Sequence, residues 1–288
     1  MNYTNLDKIW FKQPTITKAM ILDYYSLVAP YFIRHSKQRL MVLERYPDGI
    51  DLPSFYQKNS PEYFPDWIKH TSIQLKQGGS QNLLNINNKR SLLYLVNQAA
   101  LVFHGWQSYA DKPDYPNKIV FDLDPATTTT ISQLHQAAHI IAQTAIEHGL
   151  VPFVMTTGSK GYHVVIPIQA KYSFDRVHAC AKQMAQQLAD QHPELLTADI
   201  SKSKRKERIF IDYLRNSYGQ TSVSPYSVRA LPHAPIAMPI TWNELSSSKP
   251  QQYTIKNVMQ KVTVDGDAWH NFKKSARSLT KLIKNLKN

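Results

Sequence analysis

The sequence predicts an α+β fold, a mixed sheet with helices over at least one face. Through its middle, strand-like runs alternate with helix-like runs, the pattern of a helix-covered sheet. Of its 288 residues, 42% are hydrophobic and 11% aromatic, enough to bury one large core or two modest ones. Turn signals such as Pro47-Asp48-Gly49 and Gly158-Ser159-Lys160-Gly161 fall where one run gives way to the next.

Taken in order, residues 17–34 carry Ile21, Leu22, Tyr25 and Val28 at helical spacing, and Pro30 is expected to interrupt that helix near its end. The run RLMVLERYPDG is strand-like and closed by its turn. Residues 91–106, rich in Leu, Val and Ala, predict a largely buried helix. KIVFDLDP then reads as a strand, 132–148 as a helix ended by Gly149, LVPFVMTT as a strand, GSKG as a turn and YHVVIPI as a strand. Residues 173–191 predict a helix, the basic SKSKRKER a loop, and RIFIDYL a strand. His135 and His139 stand four apart on one helical face, but the Glu of a zinc protease is missing, so both are expected to be solvated. The 271–288 tail places many Lys and Arg on a helix facing solvent or nucleic acid.

Neither repeats nor linker composition appear, so the expectation is one domain over 1–288. It has an N-terminal αβ part (about 1–115), a catalytic part (about 116–245) and a basic C-terminal extension (about 246–288). Lys and Arg total 34 against 21 Asp and Glu, a formal charge of +13, which makes nucleic acid a leading electrostatic partner. No run approaches the roughly 20 apolar residues of a membrane span, and the start lacks a signal-peptide core. The single cysteine, Cys180, excludes an internal disulfide and a CxxC zinc site. A cytoplasmic protein, associated with the nucleoid and with no membrane partner, is expected.

In KIVFDLDP, strand alternation turns Val120, Asp122 and Asp124 to one side and Ile119, Phe121 and Leu123 to the other. Two carboxylates that close repel unless a multivalent cation lies between them. Asp212, in the otherwise apolar IFIDYL, would add a third, and a pair of cations held this way is the polymerase solution to phosphoryl transfer. The plainer reading is a capped strand end, with Arg208 or Arg215 pairing Asp212 structurally. The turn TTGSKGYHV lets the backbone approach an anion and offers Lys160 and His163 to phosphate, but it lacks Walker spacing, and taken alone GSKG reads as an ordinary hairpin turn.

DLDP, TGSKGYH, RIFIDYLRN and TSVSPYSVRALPHAPIAMPITWNEL, with LDKIWF, TITKAMILDYYSLVAPY, LERYPDGID, SFYQK and LVFHGW upstream, carry a family likeness. From about residue 7 to 245 the sequence resembles the polymerase domain of bacterial DNA ligase D, of the archaeo-eukaryotic primase superfamily. The resemblance implies a primase-like α+β fold whose mixed or antiparallel catalytic sheet is flanked by helices. It implies that Asp122, Asp124 and Asp212 are catalytic and hold two Mn²⁺ or Mg²⁺ ions. His104, Thr157, Lys160, His163, Arg205, Arg215 and Arg229 would bind nucleotide. Lys8 and Lys18 would grip a 5′-phosphate, Phe55 and Tyr56 stack on template bases, and Arg45 and Lys58 follow the template. The expected partners are DNA with gaps or double-strand breaks, NTP or dNTP, the end-binding protein Ku and a separate ATP-dependent DNA ligase, since 288 residues leave no room for ligase or nuclease modules.

The sequence departs from the family at Tyr56 for phenylalanine, Gly105 for proline and Thr157 for serine, none a charge that the chemistry needs. The activity expected is template-dependent nucleotide addition, ribonucleotides preferred, to 3′ ends during non-homologous end joining. A metal-dependent nuclease or phosphodiesterase and a non-catalytic DNA-end-binding module are the rivals.

Overall fold

The computed structural model describes residues 2–74 and 78–285. The chain forms two compact units, each assembled from separated segments. The first comprises Met1–Asp111, Thr221–Met238 and Tyr253–Gly266; the second comprises Lys112–Gln220, Pro239–Gln252 and Asp267–Asn288. The chain passes between the units several times, so no single stretch needs linker composition. None of the described helices is long and apolar enough to cross a membrane.

In the first unit β1 (Ile9–Phe11) pairs with β2 (Ile16–Thr17), and α1 (Lys18–Ser36) follows at once. Thr17 caps α1 by accepting from the Met20 N–H at 3.4 Å. Pro30 sits inside this helix and does not end it. Phe32, two residues beyond, is fully buried, and burying that ring offsets the roughly 3 kcal/mol a helical proline costs. Then come β3 (Arg39–Arg45), β4 (Phe55–Gln57), β5 (His70–Gln74), β6 (Ser80–Asn85), α2 (Lys89–Asn97) and β7 (Ala100–Tyr109).

The helix expected over 91–106 is thus a short helix and a strand. Asn88 caps α2, Ala99 turns left-handed at φ 67°, and β7 begins. A Leu- and Val-rich strand buried on both faces shows no alternation and mimics a buried helix. β7 is such a strand, hydrogen-bonded between β3 and a later strand, β13 (defined below). Tyr25, Phe32 and Phe103 meet edge to face, with ring centroids 5.2–5.9 Å apart, and the Tyr25 hydroxyl donates to the Leu101 carbonyl at 2.7 Å.

The second unit contains β8 (Lys118–Asp124), α3 (Ile131–Glu147), β9 (Phe153–Thr156), β10 (Tyr162–Pro167), α4 (Phe174–Gln191), β11 (Leu196–Thr197), α5 (Lys202–Arg205) and β12 (Ile209–Asp212). β13 (Thr221–Val223) returns to the first unit's sheet, and β14 (Pro239–Ile240) to the second's. The second sheet runs β11-β12-β8-β10-β9-β14, parallel only between β11 and β12. A capping box between Thr130 and Gln133 starts α3, and Gly149, at φ 76°, follows its C-cap. Within the basic loop expected at 201–208, α5 forms a single helical turn.

The remaining helices are α6 (Trp242–Leu245), α7 (Val258–Asp265) and α8 (Thr280–Asn285). The basic tail is only partly helical and not simply solvated: Leu279 and Leu282 are buried, and Lys281 Nζ donates to the Glu147 carbonyl at the end of α3 at 2.7 Å. Residues 286–288 of that tail lie outside the described residues.

Candidate active site

β8 lies between β12 and β10, antiparallel to both. The register sets Asp122 opposite Asp212 on one side and opposite His163 on the other. Opposed residues of antiparallel strands share a face, so these side chains project together, with Asp124 two residues along the same face. His163 Nε2 stands 3.3 Å from Asp122 Oδ1. Arg215, on the turn just after β12, places Nε 3.5 Å from Asp122 and 3.3 Å from Asp212, so of the two candidate partners for Asp212 it is Arg215 that pairs. Arg208 instead donates to the carbonyls of Arg205 and Lys204.

Asp212 also accepts from the Leu214 N–H at 2.8 Å. Arg205 approaches Asp124 at 4.0 Å, lies 3.7 Å over the Phe210 ring, and donates to the carbonyls of Asp199 and Ile200. Burial raises the Asp212 carboxyl above its ordinary value, opposed by Arg215 and the Leu214 N–H. Partial burial, then the charges of Asp122 and Asp212, push Asp124 up to about 6.

The donor set suits a hard divalent cation, because all three groups are carboxylate oxygens gathered on one face. Among the described residues, however, no three such side chains converge as they stand into a cluster able to hold a metal. Arg215 supplies the positive charge between Asp122 and Asp212.

The turn after β9 is organised by Thr157. Its hydroxyl donates to the Gly161 carbonyl at 3.0 Å and accepts from the N–H groups of Ser159 and Gly161 at 3.2 and 3.3 Å. Thr157 therefore shapes the turn, while Lys160 stands exposed on it. At Gly161 a side-chain Cβ would lie 2.0 Å from the Leu123 carbonyl oxygen, so only glycine lets the turn close on the strand that bears the aspartates. Asn216 completes the frame: its amide donates to the Val120 carbonyl and accepts from the Val120 N–H, both at 2.8 Å, fixing β8. It ends the RIFIDYLRN motif, yet the sequence reading gave it no role.

The remaining candidates lie in the first unit. His104, on β7, has Nε2 3.6 Å from Glu44, which also accepts from the Tyr46 hydroxyl. Burial raises the Glu44 carboxyl, but hydrogen bonds from His104 and Tyr46 with the charges of His104 and Arg229 outweigh it and leave the pKa below its ordinary value. Sequence reasoning missed Glu44 and Tyr46, since a Glu in a strand run gives no sign of a histidine partner. Tyr56 tilts against His104 at 5.8 Å between centroids. Arg45 donates to Gln57 and Tyr63 and lies 5.1 Å over Phe55. Phe55 and Tyr56 are 46% and 59% exposed, and Lys58 is exposed. Lys8 pairs with Asp48 at 2.6 Å. Lys18 is buried, with its Nζ donating to the Thr4 carbonyl at 2.7 Å, and burial followed by the nearby Lys8 charge lowers its pKa.

The solvated reading is corrected for His135 alone, since His139 is exposed. His135 Nε2 lies 3.1 Å from both the Tyr162 hydroxyl and the Ser248 carbonyl, and His139 packs against Trp242.

Residues 17–269 match the family described as "LigD, primase-polymerase domain". The chain is 32% identical over 272 residues to the multifunctional non-homologous end joining DNA repair protein LigD of Mycobacterium tuberculosis, covering 92% of this chain and 36% of that protein. It is 30% identical over 275 residues to the bifunctional non-homologous end joining protein LigD of Bacillus subtilis, covering 94% of this chain and 44% of the relative. It thus spans less than half the length of these curated relatives. A solved structure, the polymerase domain from Mycobacterium tuberculosis ligase D in complex with DNA, superposes with a TM-score of 0.90 at 31% identity, covering 96% of this chain and 99% of that one.

The fold belongs to the polymerase class of nucleotidyltransferases, on a primase-like α+β scaffold. The chain belongs to the LigD primase-polymerase domain family.

Proposed function

We propose that the chain adds nucleotides, ribonucleotides preferred, to 3′ ends at gaps or breaks in DNA during non-homologous end joining. The observation that carries this reading is the register of β8 and β12, with Asp122, Asp124 and Asp212 on one face beside Arg205, Arg215 and His163. Mn²⁺ or Mg²⁺ held by those three carboxylates would lower the pKa of the attacking hydroxyl and neutralise the triphosphate. The 3′-hydroxyl oxygen forms a bond to the α-phosphorus, the bond to the bridging oxygen breaks, and pyrophosphate leaves.

The chain's own part is positioning and charge. Lys160, His163, Arg205 and Arg215 hold phosphate oxygens, and Thr157 fixes the turn that presents Lys160. His104 and Arg229 serve the nucleotide, with Glu44 orienting the imidazole. Phe55 and Tyr56 offer exposed rings to template bases, Arg45 and Lys58 follow the template, and Lys8 and Lys18 receive a 5′-phosphate. Support for a DNA partner comes from the related polymerase domain, which was solved with DNA. Ku and an ATP-dependent ligase would complete the repair, in the cytoplasm at the nucleoid.

The test is primer extension on a 5′-phosphorylated gapped duplex with NTPs or dNTPs and with Mn²⁺ or Mg²⁺. Triphosphate-dependent lengthening, greater with NTPs, is expected. Release of nucleotides without triphosphate would mean a nuclease, and binding with no chemistry an end-binding module.

A further inference from the structure

On β10, Tyr162 and His163 point to opposite faces. His163 faces the aspartates, whereas the Tyr162 hydroxyl reaches the Ser248 carbonyl at 2.9 Å and His135 of α3 at 3.1 Å. On the α3 side of the same strand end the second unit holds a cavity of about 460 Å³. Its lining comes from the chain just after Asp124, the first turns of α3, Ser159 and Lys160 of the glycine turn, and Lys249 with its neighbours. It contains two lysines and no carboxylate.

The walls are fixed. Tyr162 and His135 both bind Ser248, and the Lys249 N–H donates to Gln252 Oε1 at 3.0 Å, so the backbone that carries Lys249 is held in place. Thr127 and Ser159 bring hydroxyl-bearing side chains to the lining. Pro125, Ile131, Leu134 and Pro250 form the apolar part of the lining. Two cations, hydroxyl donors and no acidic group select a compact polyanion.

We propose that this cavity receives inorganic pyrophosphate, the group released at the aspartate face, with Lys160 shared between the two sides of the turn and Lys249 completing the far side. The assignment rests on the nucleotidyltransfer reading for the origin of its ligand, but its binding test stands apart from catalysis.

Calorimetric titration of inorganic pyrophosphate into the whole chain, with chelator present so that no metal bridges it to the carboxylates, should show binding. Lys249→Ala should weaken it roughly five- to tenfold, Lys249→Arg should largely restore it, and inorganic phosphate, with fewer oxygens to share between two lysines, should bind more weakly. The melting temperature should stay constant across the variants. Equal pyrophosphate affinity in the intact chain and Lys249→Ala would overturn the assignment, as would phosphate binding as tightly as pyrophosphate. Primer extension is scored separately: its absence sinks the nucleotidyltransfer reading, whereas extension with a Lys249-independent pyrophosphate affinity sinks the cavity assignment alone.

Discussion

Partial burial and the neighbouring Asp122 and Asp212 charges leave Asp124 with a carboxyl pKa of about 6. In an unfolded chain the same group titrates near 4, so between about pH 4 and 6 the folded chain holds more protons than the unfolded one. Stability in the presence of chelator should therefore fall as pH rises through that window. Asp124→Asn should flatten part of the fall, leaving the share of Asp212, whose carboxyl is also raised. Thermal melts at stepped pH measure this, and an unchanged profile in the variant would contradict the electrostatic coupling. The same crowding of negative charge is what a divalent cation relieves, so the group that costs stability at neutral pH is the one a metal ion rewards.

At the scale of elements, the glycine turn and β8 form one device. Gly161→Ala would drive a Cβ to 2.0 Å from the Leu123 carbonyl and must displace the end of β8 or the turn, at about 2–3 kcal/mol. Gly219→Ala, where no atom lies within 4 Å of the added carbon and φ is +78°, should cost only the left-handed strain, about 1 kcal/mol. Urea unfolding of both variants checks the ranking, and equal losses would refute the close approach.

β8, β10 and β12 were legible in the sequence because each is a short apolar run with carboxylates or turns at its ends. The strand alternation that put Asp122 and Asp124 on one side also holds in the structure. The 91–106 segment was not legible, since a strand buried on both faces loses the period that separates strand from helix. His135 was misread because its partners, Tyr162 and the Ser248 carbonyl, are 27 and 113 residues away.

Over the whole molecule, a formal charge of +13 supplies an attraction for DNA that depends on counterion release. Lys8, partly exposed and paired with a surface aspartate, is available to a phosphate, and Lys18, whose stem is part of the packing, would turn its Nζ from the Thr4 carbonyl to the same phosphate. The double variant Lys8→Ala, Lys18→Met should keep the fold and lower the slope of log affinity against log salt by about 1.5 to 2 on 5′-phosphorylated gapped DNA, read by fluorescence anisotropy. Equal slopes would remove these lysines from the 5′-phosphate site. The candidate residues divide between two units interleaved in sequence, and no compositional break marks where 221–238 and 253–266 rejoin the first.

The most direct measurement of the central claim is the rate of single-nucleotide incorporation at a gapped primer by the intact chain and by Asp212→Asn, with Mn²⁺ or Mg²⁺ supplied. Asp212 is the carboxylate contributed by the second strand, so the account predicts incorporation by the intact chain and a loss of at least about a hundredfold in a variant that still melts cooperatively. A folded Asp212→Asn chain that extends the primer at the original rate would contradict it.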